Sequence, residues 1–148
     1  MLLAVDVGNS NITIGVFDGN SLVHTSRMTT GISRTSDEFG VFLVELMQMK
    51  GLTVDMVTEV IVTSVVPDVM HSLTNGIKKY FKSNPLIVEP GIKTGINIAI
   101  PNPKQLGADR IVDAVAAYEI YGGPVIVIDY GTATTYDLVN EIGATGPD

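Results

Sequence analysis

The stretch Leu2-Leu3-Ala4-Val5-Asp6-Val7-Gly8-Asn9-Ser10-Asn11-Ile12-Thr13 decides how the rest of the chain is read. A short apolar run of buried-strand type delivers a carboxylate, Asp6, to a turn of Gly8, Asn9 and Ser10. Ile14, Val16 and Phe17 then carry the chain away again. Glycine lets backbone approach a ligand closely. Ser10 and Thr13 offer hydroxyls, and the N–H groups of such a turn suit phosphate oxygens. A carboxylate cannot sit bare against phosphate, so Asp6 is expected to hold a cation, directly or through water. An ordinary hairpin turn rich in Gly and Asn is the plain alternative.

A second copy favours the phosphate site. Ile128-Asp129-Tyr130-Gly131-Thr132-Ala133-Thr134-Thr135-Tyr136 repeats Val5–Thr13 in outline, with Asp129 123 positions after Asp6. That offset is the length of a small domain rather than of a solenoid repeat. Two such hairpins facing each other across a cleft would hold an ATP polyphosphate from both sides.

Outward from the first hairpin, Leu2–Val7, Asn11–Phe17 and Ser21–Met28 read as three strands, the last two joined at Asp18-Gly19-Asn20. Thr35 and Glu38 form a capping-box pattern that opens a helix with Phe39, Phe42, Leu43, Leu46 and Met47 on its face, stopped at Gly51. Glu59–Val65 is a β-branched run suited to a parallel strand. Pro67 opens a second helix, closed by Asn84-Pro85, and Pro85–Val88 reads as a short strand. Lys93–Pro101 is a loop or edge segment. Asn102-Pro103-Lys104-Gln105 signals a third helix, reset at Gly107, with Ile111, Val112, Val115, Ala116 and Tyr118 towards the core and Gly122-Gly123-Pro124 ending it. The order predicts an α/β fold: one complete ribonuclease-H-like unit over residues 1–122, then the start of a second over 123–148.

Bulk properties narrow the function. The chain has 148 residues, 45% hydrophobic and 17% charged, enough for one respectable core. A net charge of −7, without a basic cluster beyond Lys78, Lys79 and Lys82, argues against nucleic-acid binding. Cysteine is absent, which excludes disulfides and thiolate chemistry. No apolar run approaches membrane-spanning length, and the first residues lack a signal peptide's basic region. These features predict a cytoplasmic protein with no membrane partner.

Gly107-Ala108-Asp109-Arg110, between a helix cap and an apolar helix face, is the other candidate chemistry. A kinase acting on an alcohol needs a base for the hydroxyl proton and a cation for an anionic substrate. An Asp beside an Arg at a helix N-terminus supplies both. A surface salt bridge in the helix's first turn is the bland alternative. His24 and His71 have no partner at ligand spacing, and no Walker A loop, G-x-S-x-G elbow or G-x-G-x-x-G fingerprint occurs.

Together, Asp6-Val7-Gly8-Asn9-Ser10-Asn11, Gly107-Ala108-Asp109-Arg110 and Asp129-Tyr130-Gly131-Thr132-Ala133-Thr134-Thr135 resemble the motifs of type III pantothenate kinases, members of the acetate and sugar kinase/Hsp70/actin superfamily. The resemblance covers essentially the whole chain. It implies ATP-dependent phosphorylation of the pantothenate 4′-hydroxyl, the first step towards coenzyme A, in a homodimer. It further implies that Asp6, Val7, Gly8, Asn9, Ser10, Asn11, Ile12 and Thr13 bind ATP phosphates, with Asp6 near Mg2+, and that Thr132 contacts ATP. Gly107, Ala108, Asp109 and Arg110 would contact pantothenate, Arg110 through its carboxylate and Asp109 as general base. Asp129 would help bind a monovalent cation, K+ or NH4+.

Two departures stand out. Ile100 occupies a place where family members commonly carry Tyr, and the chain stops at Asp148, just after the second hairpin. Adenine-binding residues are expected beyond that point, and the Gly143–Asp148 ending does not look like the family's continuation. The alternatives are another kinase of the same superfamily, or a truncated or non-catalytic regulatory relative that keeps the fold.

Overall fold

The computed structural model describes residues 1–145. Contacts divide it into two compact units, Met1–Ile87 and Val88–Asp148. This division differs from the boundary expected after residue 122, which was drawn where the hairpin motif repeats.

In the first unit, β1 (Leu2–Val7) pairs antiparallel with β2 (Asn11–Asp18), which pairs antiparallel with β3 (Ser21–Thr29). On its other side β1 runs parallel to β4 (Glu59–Ser64), and β4 runs parallel to β5 (Leu86–Ile87), giving the order β3-β2-β1-β4-β5. The strand period of two sorts the side chains. Leu3, Val5 and Val7 of β1, with Ile12, Ile14 and Val16 of β2, are buried on one face, while Asp6 points to the other.

Helices α1 (Ser36–Gln48) and α2 (Pro67–Phe81) complete that core through Phe39, Leu43, Met47, Leu73, Ile77 and Phe81. The capping box forms as expected: the Glu38 N–H donates to Thr35 Oγ1 at 3.2 Å, and the Thr35 N–H donates to Glu38 Oε2 at 2.7 Å. One expected stop lies elsewhere. Helix α2 closes at Lys82, which adopts a left-handed conformation at φ 54°, before the Asn84-Pro85 pair is reached.

The second unit carries a sheet of order β6-β9-β8-β7, formed by β6 (Asn97–Ile98), β7 (Val125–Tyr130), β8 (Thr134–Val139) and β9 (Ala144–Thr145). The Lys93–Pro101 segment, expected as a loop or edge segment, thus supplies an edge strand, paired parallel with β9. The Asn102 signal produces a single 3-10 turn, Pro103–Gln105, and Leu106 is extended behind it. Helix α3 (Ala108–Tyr121) starts separately and packs on β7 and β8. Its buried residues are Ala108, Ile111 and Ala114. Val112 and Val115 are only half-buried and Ala116 is exposed, because the helix meets its sheet about one position round from the expected face.

Among the described residues, then, the protein is mixed α/β, with two sheets and three α-helices. No helix among them is long and apolar enough to cross a membrane. The expectation for the Gly143–Asp148 ending lies partly outside the described residues, at 146–148.

Candidate active site

The first hairpin is tied at three points. The Gly8 N–H donates to the Asn11 carbonyl at 3.0 Å and closes the turn. From the end of β3, the Thr30 N–H donates to the Ser10 carbonyl at 3.0 Å, and Thr30 Oγ1 donates to the Gly8 carbonyl at 2.7 Å. Gly8 keeps the turn close, since a Cβ there would lie 3.1 Å from the Asn11 oxygen, a tight contact. Val7 and Ile12 are fully buried, so either can serve a phosphate only through its backbone. Asn9, Ser10 and Asn11 are exposed, and a 350 Å³ cleft beside the turn has Asn9, Thr30, Arg34 and Val66 among its lining residues.

Asp6 sits in register between Thr13 of β2 and Thr63 of β4, so the three side chains share one sheet face. The Thr63 hydroxyl is buried and has no hydrogen-bond partner among the described residues. Mg2+ usually keeps several waters and takes only one or two carboxylates. An exposed Asp6 flanked by two hydroxyls fits such a site. Among the described residues no group of three or more His, Asp or Glu is gathered for a metal.

The second hairpin repeats this design with one residue fewer in its turn. Asp6 lies opposite Thr13, and Asp129 lies opposite Thr135 rather than Tyr136, so the two copies fall out of step by one position after the turn. Both place a carboxylate across from a threonine. The Asp129 carboxylate leans towards the turn, where a Cβ on Gly131 would lie 3.3 Å from Oδ2. Thr132 is exposed in that turn.

Gly107 is the N-cap of α3, and Ala108, Asp109 and Arg110 form its first turn. A helix's first N–H groups lack intrahelical acceptors, and Asp109 Oδ1 accepts the Arg110 N–H at 2.9 Å. The Arg110 side chain reaches not Asp109 but Asp137 of β8, a residue the sequence reading did not single out. Nε donates to both carboxylate oxygens at 2.9 and 3.1 Å, and Nη2 donates to Oδ1 at 2.5 Å and to the Tyr136 carbonyl at 3.3 Å. Asp137 is 7% exposed. Its hydrogen bonds and charge hold the Arg110 guanidinium above its already high range, with a smaller contribution from Asp109.

A 310 Å³ pocket opens at this pair, walled by Ile100, Leu106 and Leu138, with Thr145 among its lining residues. Thr145 Oγ1 is buried without a hydrogen-bond partner among the described residues. Ile100 is part of the pocket's apolar wall. The pocket thus joins a guanidinium, an apolar wall and a hydroxyl, features suited to a small organic acid.

Neither Thr63 nor Asp137 was legible as a site residue in the sequence. Thr63 lies inside an apolar run, and Asp137 carries no motif spacing to Arg110, from which it is 27 positions removed.

Comparison with known proteins adds the family. A model described as type III pantothenate kinase matches residues 2–145. A type III pantothenate kinase of Agathobacter rectalis is 62% identical over 143 residues, covering 97% of this chain and 55% of the relative. One from Bifidobacterium animalis subsp. lactis is 49% identical over 144 residues, covering 97% and 57%. One from Bifidobacterium longum is 50% identical over 143 residues, covering 97% and 56%. The chain therefore spans little more than half the length of these curated relatives.

Proposed function

The chain belongs to the type III pantothenate kinase family, and on that premise we propose that the protein carrying it phosphorylates the pantothenate 4′-hydroxyl with ATP. That reaction opens coenzyme A synthesis. The observation that carries the reading is the first turn of α3, where Arg110 lines a pocket walled by Ile100, Leu106 and Leu138 and Asp109 is its immediate neighbour in the helix. Pantothenate has a carboxylate for Arg110, a dimethyl-bearing carbon chain for Ile100 and Leu106, and an amide within the chemistry of Thr145.

In this reading Gly107 and Ala108 shape the pocket rim by their backbone, and Asp109 accepts the hydroxyl proton. The hydroxyl oxygen then forms its bond to the γ-phosphorus as the bond to the β,γ-bridging oxygen breaks and ADP leaves. Backbone of Asp6–Thr13, the hydroxyls of Ser10 and Thr13, and Thr132 orient the polyphosphate. Asp6 would hold Mg2+, and Asp129 would help hold K+ or NH4+. These ions supply neutralisation of phosphate charge.

The strand order β3-β2-β1-β4-β5 supports a ribonuclease-H-like domain, which this reading extends over residues 1–122, with residues 123–148 opening a second domain of the same kind. A cytoplasmic homodimer completes the proposal.

The test is a coupled ATP-consumption assay on the intact protein with pantothenate, in potassium and then in sodium. Potassium-dependent turnover is expected. Asp109→Asn should lower kcat by about 10²–10⁴-fold, the span of a lost general base, while ATP affinity measured by calorimetry holds. Undiminished turnover in that variant rejects the base assignment.

A further inference from the structure

The pocket of the second unit contains one ionised group that the proposed reaction leaves without a role. Asp137 stands opposite Val127, on the sheet face that also carries Asp129 and Thr135. A carboxylate buried this deeply is costly unless a counter-charge and hydrogen bonds meet it. Arg110 meets it with Nε and Nη2 in a two-toothed contact, and the Tyr136 carbonyl takes a further Nη2 bond. A guanidinium is planar and presents two edges. The edge built on Nε faces Asp137, which leaves the edge carrying Nη1 as the one a ligand would meet.

An arginine side chain is long, and here its exposure is 37%. Without a fixed second point it would sample many rotamers and bind an acid with a large loss of freedom. The bond to Asp137 removes that freedom before any ligand arrives.

We propose that Asp137 is a positioning residue that makes this pocket selective for a carboxylate, by clamping one edge of Arg110 so that the other meets the acid end of the substrate. The inference rests on the pantothenate kinase reading and deepens it. Asp137 itself touches neither the reacting hydroxyl nor phosphate. Its loss therefore acts on recognition of the acid and leaves the chemical step alone.

The experiment compares pantothenate with panthenol, in which a neutral alcohol replaces the carboxylate, using the intact protein. In Asp137→Asn, which removes the charge, and in Asp137→Glu, which keeps it but displaces the clamp, KM for pantothenate should rise about tenfold, about 1.4 kcal/mol. Neither kcat nor KM for ATP should follow. Panthenol, measured as a competitive inhibitor, should bind the variants within about threefold of the parent, because it offers Arg110 no anion.

Equal losses for both ligands, or a fall in kcat that matches the rise in KM, would make Asp137 a purely structural residue. Tighter pantothenate binding in Asp137→Asn would mean that Asp137 opposes the substrate, and would equally overturn the proposal. If the unmutated protein turns over no pantothenate at all, it is the kinase reading that fails.

Discussion

Thr30 holds the first hairpin turn from outside it. Its hydroxyl donates to the Gly8 carbonyl and its N–H to the Ser10 carbonyl, and it is 5% exposed. Thr30→Val keeps the shape but leaves that carbonyl without its side-chain donor, at a cost of about 1–3 kcal/mol. We expect a lower urea midpoint together with a raised KM for ATP and an unchanged KM for pantothenate; a shift in the pantothenate constant alone would contradict this placement. Asp6 and Asp129 could be picked out from sequence because each is a lone charge at the end of an apolar run, and Asp109 because it is paired with Arg110 ahead of one. Thr30, Thr63 and Asp137 could not. What makes each of them useful is a neighbour brought near only by strand pairing or helix packing.

Helices α1 and α2 cross closely because Gly40 and Gly76 carry no side chain at the contact. A Cβ on Gly76 would lie 2.5 Å from the Ser36 carbonyl oxygen and 3.2 Å from the Gly40 nitrogen, both backbone atoms that cannot swing aside. Gly76→Ala should therefore destabilise by about 1–3 kcal/mol in urea unfolding, despite alanine's better helix propensity. A stabilised variant would show that the crossing has room to spare.

The same helix pair is bridged at the surface, where Lys79 and Tyr80 of α2 donate to Asp37 Oδ1 at 2.7 and 2.9 Å. The Lys79 hydrogen bond, then that of Tyr80, lowers the Asp37 carboxyl below its ordinary 3.8. A lowered carboxyl contributes stability above its unfolded value, and that contribution fades as pH falls through the lower folded value. Comparing Tm of the parent with Asp37→Asn should show a small gap at pH 7 that closes below about pH 3.8. A gap independent of pH would assign the effect to packing. Of these features the capping box was legible, being a local pattern of Thr35 and Glu38. The tight crossing was not, since Gly40 and Gly76 read in sequence only as weak points in two helices.

For the molecule as a whole, the repeated hairpin was the most informative feature of the sequence, and pairing bears it out, with Asp6 opposite Thr13 and Asp129 opposite Thr135. The surroundings of the two copies differ. The odd-numbered residues of β1 are buried beneath two helices, whereas Ile126, Ile128 and Tyr130 of β7 are 66%, 45% and 79% exposed, since α3 covers only the opposite face of that sheet among the described residues. An apolar run such as Val125–Ile128 announces a strand without saying how many of its faces are covered.

By itself the sequence determined the longer strands and the three α-helices, the two carboxylate-bearing turns, the cap of α1 and, through three short motifs, the family, because each of these patterns is written in residues within a few positions of one another. Only the tertiary structure decided that Arg110 pairs with Asp137 instead of Asp109, that Thr30 closes the first turn, and that Asn97–Ile98 joins the second sheet. Those contacts join residues far apart in the chain, and their partners are selected by strand register and helix packing, which no local pattern encodes.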